Sequence, residues 1–426
     1  MLSTHDALYR AVCADPDEDT PRLAFADLVE EDGDPARAAF IRAQVELARL
    51  PAYDPVWAKC RQAKPELIRG WAMAHTLPKP LPDGFSWRDY RFRRGFPWRV
   101  LALSAEAFAV RAAALFATAP IRALSFDDRT RPSLAVLAAA PALARLHRLE
   151  FNLTRFDAAD LAPLAASPHA ANLTALQFDH HAVTPEGLEA LARSPLFARL
   201  TTLELKANVI PPALLVDALA AAGDDTALRT LALPFAELPR YDAAHLFALP
   251  VVQRLTHLDL TDNPRLGPKG VEDLAESGAV RGLEVLKLGK TLPGVPGVRA
   301  LTQTSALAGV RWLDLSANRL GPTAAGLLAE SRNARGLRVL DLSDNPVGGT
   351  GAAALAGSPH LAGLVELDLE DCGIGDAGAL ALAASPHLDG LLRLDLRDRV
   401  AARPLGAAAR RALVERFGGR ASYNRE

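Results

Sequence analysis

Apolar residues recur along most of the chain in the pattern Leu-x-x-Leu-x-Leu. The leading positions are Ile121, Leu146, Leu173, Leu200, Leu228, Leu255, Leu283, Val310, Leu337, Leu364 and Leu391. The first step is 25 residues and every later step is 27 or 28. A fixed period of this size predicts a solenoid in which each repeat buries its apolar face only against its neighbours. Within one phrase, Leu340 and Leu342 alternate with Val339, Asp341 and Ser343, the period of a strand with one buried face. Asn345 follows as a turn residue whose side chain can bond nearby backbone. Asn208, Asn263 and Asn318 hold the same place, and Thr154, His181 and Cys372 replace it elsewhere. Stacked asparagines there would satisfy carbonyls and amides that a tight bend leaves open.

The stretches between phrases are rich in Ala and Leu, as in 187–192, 351–356 and 378–383, and predict helices packed close to their neighbours. Breaks at Ser167-Pro, Ser194-Pro, Ser277, Ser331, Ser358-Pro and Ser385-Pro close them, since the residue before proline avoids the helical region. Two repeats depart. One carries Pro234 and Phe235 after its strand, the other runs Gly289-Lys-Thr-Leu-Pro293, and both predict a locally irregular curve.

The ends differ from the middle. Residues 92–103 predict one atypical first strand with aromatic cover, followed by a helix over Ala105–Thr118. At the other end Ala407–Phe417 predicts a closing helix, with Arg403, Arg410, Arg411, Glu415 and Arg416 giving the polar face that stops stacking. Residues 1–50 do not repeat. They predict a helix over His5–Ala14, a second capped by Thr20 with Pro21 at its first position, and a third begun by Asp34 and Pro35. The second carries Leu23, Phe25, Leu28 and Val29 and stops at Gly33.

Half of the 426 residues are apolar and the net charge is -2, which argues for a folded protein and against general binding to nucleic acid or an anionic membrane. No signal-peptide pattern is visible, and no apolar run reaches the ~20 residues of a membrane span. Cys13, Cys60 and Cys372 share no metal or redox spacing. Together these features predict reduced thiols in a cytoplasmic protein. Charge is segregated near the start: residues 1–34 hold ten acids, and residues 59–99 hold ten Lys or Arg. Either the acidic module docks on the basic stretch or both are solvated faces.

The repeat resembles the leucine-rich repeats of the ribonuclease-inhibitor-like class over about residues 95–420. That resemblance implies an α/β fold: a right-handed solenoid, or horseshoe, with a parallel concave sheet and convex helices. A small α-helical module precedes it. The module's wording resembles a repeat-companion domain of environmental bacteria. It matches in Asp15-Pro, in Thr20-Pro-Arg-Leu-Ala-Phe-Ala-Asp27, in Glu30-Glu-Asp-Gly-Asp-Pro35 and in Arg37-Ala-Ala-Phe-Ile-Arg-Ala-Gln44. Family members often carry Asp-Trp where this chain has Asp27-Leu28, and the resemblance implies no activity. The implied division is a module over 1–50, a linker and cap start over 51–94, about eleven repeats over 95–400 and a cap over 401–426.

Four motifs imitate chemistry. Asp15-x-Asp17-x-Asp19 begins like a calcium loop but has Thr20 and Ala26 where that loop needs Gly and Glu. Gly349-Thr-Gly351 imitates a dinucleotide fingerprint, yet Gly267, Gly321 and Gly375 punctuate equivalent turns. Cys13-x-Asp15 resembles the catalytic dyad of bacterial leucine-rich-repeat ubiquitin ligases, whose separate catalytic domain has no room here. Asp179-His180-His181 lacks the further ligands of a metal site. No catalytic residue, metal or cofactor is expected.

One column remains. The residue between the two inward leucines reads Ser125, Glu150, Gln177, Glu204, Ala232, Asp259, Lys287, Asp314, Asp341, Asp368 and Asp395. In-register stacking would line these up on the concave face, flanked by Glu366, Glu370, Asp371, Asp344 and Asp262, with Trp312 among them. Either the ladder binds a basic protein, with Asp259, Trp312, Asp314, Asp341, Glu366, Asp368, Glu370 and Asp395 as contacts, or Leu-Asp-Leu is only the common wording of such repeats. Arg393 and Arg397 partly neutralise the last rung. An adaptor, in which residues 1–50 recruit a second protein, is the alternative function; a metal-dependent enzyme built on Asp179–His181 is the remote one. Oligomeric state is left open.

Overall fold

The computed structural model describes residues 3–63, 80–127, 131–208, 210–223, 226–399 and 404–424. Lys64, Glu66, Arg69 and Lys79 of the charge-segregated stretch, and Arg403 of the expected cap, lie outside the described residues. The chain forms two compact units. One gathers residues 1–52, 63–210 and 217–228; the other gathers 53–62, 211–216 and 229–426.

The first unit opens with three helices, α1 (Thr4–Ala14), α2 (Thr20–Glu31) and α3 (Pro35–Leu47). Ser3 and Asp34 cap α1 and α3 through their side chains, as short polar residues at that place do. Thr20 does not cap α2. It is the first helical residue, Asp19 precedes it without a capping bond, and the Asp19 carboxylate instead accepts from Arg49 Nε at 2.9 Å. Val12, Phe25, Ala26, Val29, Phe40 and Ile41 form one buried cluster with Phe96. The helices therefore share a core with the strand that follows.

That strand is not single. Strands β1 (Phe85–Arg93) and β2 (Phe96–Ala102) form an antiparallel hairpin. The expected continuous strand turns back at Arg94 and Gly95, whose φ values are 53° and 81°. A Cβ on Gly95 would also lie 2.6 Å from the Cα of Ile41, so the turn doubles as the seat of α3. The helix over Ala105–Thr118 follows as expected, capped by Ser104. Four strands then add in parallel: β3 (Ala123–Phe126), β4 (Arg148–Asn152), β5 (Ala175–Asp179) and β6 (Thr202–Lys206).

The second unit repeats the same element. Its strands β7 (Thr230–Ala232), β8 (His257–Asp259), β9 (Val285–Lys287), β10 (Trp312–Asp314), β11 (Val339–Asp341), β12 (Glu366–Asp368), β13 (Arg393–Asp395) and β14 (Ala421–Ser422) pair in parallel order. Helices of nine or ten residues, such as Gly294–Gln303 and Gly348–Ala356, cross between them. Leading residues Leu283, Val310, Leu337 and Leu364 are at most 1% exposed. Each buried aliphatic contributes roughly 1.5–3 kcal/mol, and that is the stacking energy. The closing helix spans Ala407–Phe417 as expected.

Two side-chain ladders lock the repeats. Asn345 Nδ2 donates to Leu315 O of the preceding repeat and to Leu342 O of its own, both at 2.9 Å. Its Oδ1 accepts from the amides of Asn318 at 2.9 Å and Leu320 at 2.8 Å. Asn318, Asn263 and Asn208 act alike, and Cys372 Sγ reaches Leu342 O at 3.0 Å. A second ladder runs along the helix ends. Ser167, Ser331 and Ser385 Oγ donate to Ala138 O, Thr302 O and Ala356 O, at 2.6, 2.8 and 2.5 Å, and Ser358 donates to Ala329 O.

Both irregular-looking repeats keep the regular turn. Each turn carries a left-handed residue, Phe235 and Lys290 in these two, just as Asp262, Asp344 and Asp371 do in others. Thr291 fills the asparagine place, fully buried, with its hydroxyl on Leu288 O at 2.7 Å.

Candidate functional site

The column between the inward leucines stands in register. Asp259 pairs with Lys287, Lys287 with Asp314, Asp314 with Asp341, Asp341 with Asp368, and Asp368 with Asp395. Parallel neighbours lie about 4.8 Å apart, so the carboxylates stand closer than a Debye length.

Each aspartate also does a local job. Its Oδ1 accepts the amide two residues on: Thr261 from Asp259 at 3.0 Å, Ser316 from Asp314 at 2.8 Å, Ser343 from Asp341 at 2.9 Å and Glu370 from Asp368 at 3.0 Å. These bonds turn the chain out of the strand, and they account for Asp as the favoured wording. The flanking Asp262, Asp344 and Asp371 sit at the left-handed position, which Asp tolerates better than most residues.

The remaining oxygens divide the column. At its far end Arg393 reaches Glu366 and Asp368 at 3.5 Å and Asp395 at 3.1 Å. Arg397 binds Asp395 at 2.7 Å and Glu370 at 3.1 Å, and Arg399 reaches Glu370 at 3.4 Å. Glu366 and Asp395 are buried beneath this lattice. Asp368, Glu370 and Asp395 bring carboxylate oxygens within 4.8 Å of one another, which is metal-like spacing, but the guanidiniums already supply the positive charge. At the near end Lys287 lies 3.7 Å from Asp259 and 5.3 Å from the Trp312 ring centre. Between these ends, no cation pairs with Asp314 or Asp341 among the described residues.

The electrostatics follow that division. Burial, then Asp341 beside it, pushes the Asp314 carboxyl above its ordinary value, with the Ser316 bonds and Lys287 pulling the other way. Burial and the charges of Asp341 and Asp395 raise Asp368 to about 7, although Arg393 opposes them. Like charges stacked at strand spacing resist ionisation, and a cation arriving from outside relieves that resistance. Of the eight expected contacts, Asp314 and Asp341 with half-buried Trp312 form the unpaired middle, and Asp368, shared with Arg393, bounds it. Asp259, Glu366, Glu370 and Asp395 are paired within the chain.

The enzyme-like motifs have structural occupations. Arg22 is 2% exposed and fills the Asp15–Asp19 loop where calcium would sit, donating to Pro16 O at 2.5 Å and to Glu18 O. Burial raises the Cys13 thiol to about 12 despite nearby Arg145 and Arg22, far from a thiolate nucleophile. Gly351 lies in the first turn of the helix Gly348–Ala356, and a Cβ on it would lie 2.6 Å from Val347 Cγ1. Exposed His180 bonds Asn152 at 3.0 Å, and His180 and His181 both take left-handed backbone at the turn.

The acidic module does meet basic side chains within the first unit. Asp17 pairs with Arg122 at 2.5 Å, Asp19 lies 3.5 Å from Arg94, and Arg145 holds Cys13 O at 2.6 Å. Arg122 and Arg145 belong to the first repeats, outside the basic stretch that charge counting picked out. No helix among the described residues is long and apolar enough to cross a membrane.

Four stretches, residues 169–192, 253–275, 335–356 and 363–383, match the model described as Leucine Rich repeat. No curated protein sequence matches the chain. Among solved structures the chain is similar to one in the crystal structure of the TLR13–ssRNA13 complex, at 20% identity and TM-score 0.41, covering 65% of this chain and 36% of that one. It thus spans well under half of that protein's length. It is also similar to one in the crystal structure of the Rad7 and Elc1 complex in yeast, at 16% identity and TM-score 0.43, covering 90% of this chain and 95% of that one. With repeat matches falling in both units, on the strand, turn and helix described above, this is a leucine-rich-repeat fold.

Proposed function

We propose that the protein is a non-catalytic interaction scaffold whose repeat face binds a basic protein segment over Asp314, Asp341 and Asp368, with Trp312 as the apolar anchor. The observation that carries this reading is the in-register row in which Asp314 and Asp341 stand without a cation, among the described residues, between Lys287 at one end and the Arg393 that Asp368 shares at the other. An extended chain laid across parallel strands would set successive Lys or Arg residues against successive rungs. In this reading the repeats are of the ribonuclease-inhibitor-like class, which the 27- to 28-residue period and the full helix per repeat support. Residues 1–50 are the companion module of a bacterial protein, supported by the motifs quoted above. A cytoplasmic setting fits three free cysteines, two of them buried.

The test is direct. Anisotropy of a labelled arginine-rich decapeptide is measured against the wild type, against D314N/D341N/D368N, and against a control with acids neutralised on a crossing helix (E272Q/E276Q). Loss of about tenfold or more in the first variant, with the control unchanged, supports the reading. Equal behaviour of both variants overturns it.

A further inference from the structure

A second polar recess lies in the first unit, away from the acidic row. It encloses about 250 Å³ on the sheet face formed by β1 to β5. Its charged lining is Arg88, Arg91 and Arg99 against Asp127, Glu150 and Asp179. Three guanidiniums facing three carboxylates make the recess formally neutral, so it suits neither a lone anion nor a lone cation.

The charges are also sorted along it. Arg99 and Arg148 both bind Glu150, Arg148 also bonds Gln177, and Gln177 Nε2 donates to Asp179 Oδ2 at 2.5 Å. The chain of bonds stops there: Asp179 Oδ1 is buried and has no hydrogen-bond partner among the described residues. Arg88 and Arg91 are exposed on β1, where two register shifts bend the strand. No carboxylate pairs with either among the described residues. One side of the recess thus offers unspent guanidinium donors, and the other an unspent carboxylate acceptor.

Strands β1 and β5 are four steps apart, about 19 Å at ~4.8 Å per step. Long arginine stems shorten that gap, and an extended peptide covers ~3.3–3.6 Å per residue. A single amino acid is too short to touch both sides. The geometry points to a binding site for a free peptide of about three or four residues, with its C-terminal carboxylate on Arg88 and Arg91 and its N-terminal ammonium on Asp179. This site is independent of the acidic row and stands or falls without it.

Titration calorimetry on the full chain tests it, with trialanine, its N-acetyl form, its C-terminal amide and L-alanine as probes. Trialanine should bind, and blocking either end or shortening to L-alanine should weaken binding about 10- to 100-fold, the effect of one charge-assisted bond. R88Q/R91Q should abolish the preference for the free carboxylate, and D179N the preference for the free amine, each without moving thermal unfolding. Because Arg88 and Arg91 are exposed, the first variant folds regardless. Equal binding of free and capped peptides, no heat with any probe at millimolar concentration, or variants indistinguishable from wild type would each overturn the assignment.

Discussion

Replacing Asn345 with Ala removes one side chain and strands two amides. Asn318 N and Leu320 N donate to Asn345 Oδ1 at 2.9 and 2.8 Å, and no other acceptor among the described residues serves them. The carbonyls that Asn345 holds are better insured. Leu315 O also accepts from Asn318 Nδ2, Leu342 O from Cys372 Sγ, and Ser343 O from Ala317 N. The cost is therefore set by the amides. At ~1–3 kcal/mol for each buried donor left unmade, Asn345→Ala should cost ~2–6 kcal/mol. Asn318→Ala strands one such amide, that of Leu292, and should cost about half as much. Thr154 occupies the same repeat position, is 3% exposed, and its hydroxyl has no partner among the described residues. Thr154→Val should then be within ~0.5 kcal/mol of wild type, or stabilising. Urea unfolding followed by far-UV circular dichroism gives the order, and amide exchange at Asn318 and Leu320 localises the damage. If Asn345→Ala costs no more than Asn318→Ala, or Thr154→Val costs as much as either, the ladder does not stabilise the fold through its amides.

Three further outcomes are expected. Asp368 is raised to about 7 in the fold from an ordinary 3.8, so between those values the native state binds a proton that the unfolded chain releases. Its stabilising effect is present below about pH 4 and lost as pH rises through 7, so the melting temperature of Asp368→Asn should gain on wild type between about pH 4 and pH 7. Arg22→Lys keeps the charge but loses the fork that holds the Asp15–Glu18 carbonyls, and should lower stability by at least ~2 kcal/mol in urea melts. Ser358→Ala deletes the hydroxyl bond to Ala329 O and should cost ~1 kcal/mol by the same measurement, with the helix Gly348–Ala356 intact by circular dichroism.

What could be read beforehand follows the range of the interactions. Strand, turn and helix close within one 27-residue period, so Leu340, Leu342 and Asn345 announce their roles through neighbours in sequence. The aspartate column was legible because side-chain period and strand register are both fixed by the inward leucines. That each of those aspartates also holds its own backbone was not, since Asp at that place satisfies both needs with the same letter. The hairpin at Arg94-Gly95 had a local signal, a glycine between two alternating runs, which the aromatic residues around it masked. Arg22 gave none: it looks like a solvated helix residue, and only the curl of residues 15–19 around it explains its burial. The bond from the Tyr53 hydroxyl to Glu284 Oε2, 2.8 Å across 231 residues, lies beyond any periodic pattern.

The asparagine ladder has a consequence for how such a chain changes length. Each asparagine rung leaves its bend amides for the next rung to satisfy, and uses its own side chain to complete the rung before. Dependence therefore runs one way along the stack, and the joins between asparagine rungs carry the same set of unfilled valences. Excision of one whole period, for example residues 310–336, would bring Leu337 to the place of Val310 and Asn345 to the place of Asn318, where its Oδ1 meets the Leu292 amide and nothing is left over. Excision of a fraction of a period would leave an amide row facing a helix. The number of rungs is thus free to drift by integers while the fold stays intact, and the identity of the face residues is free to vary independently of that count.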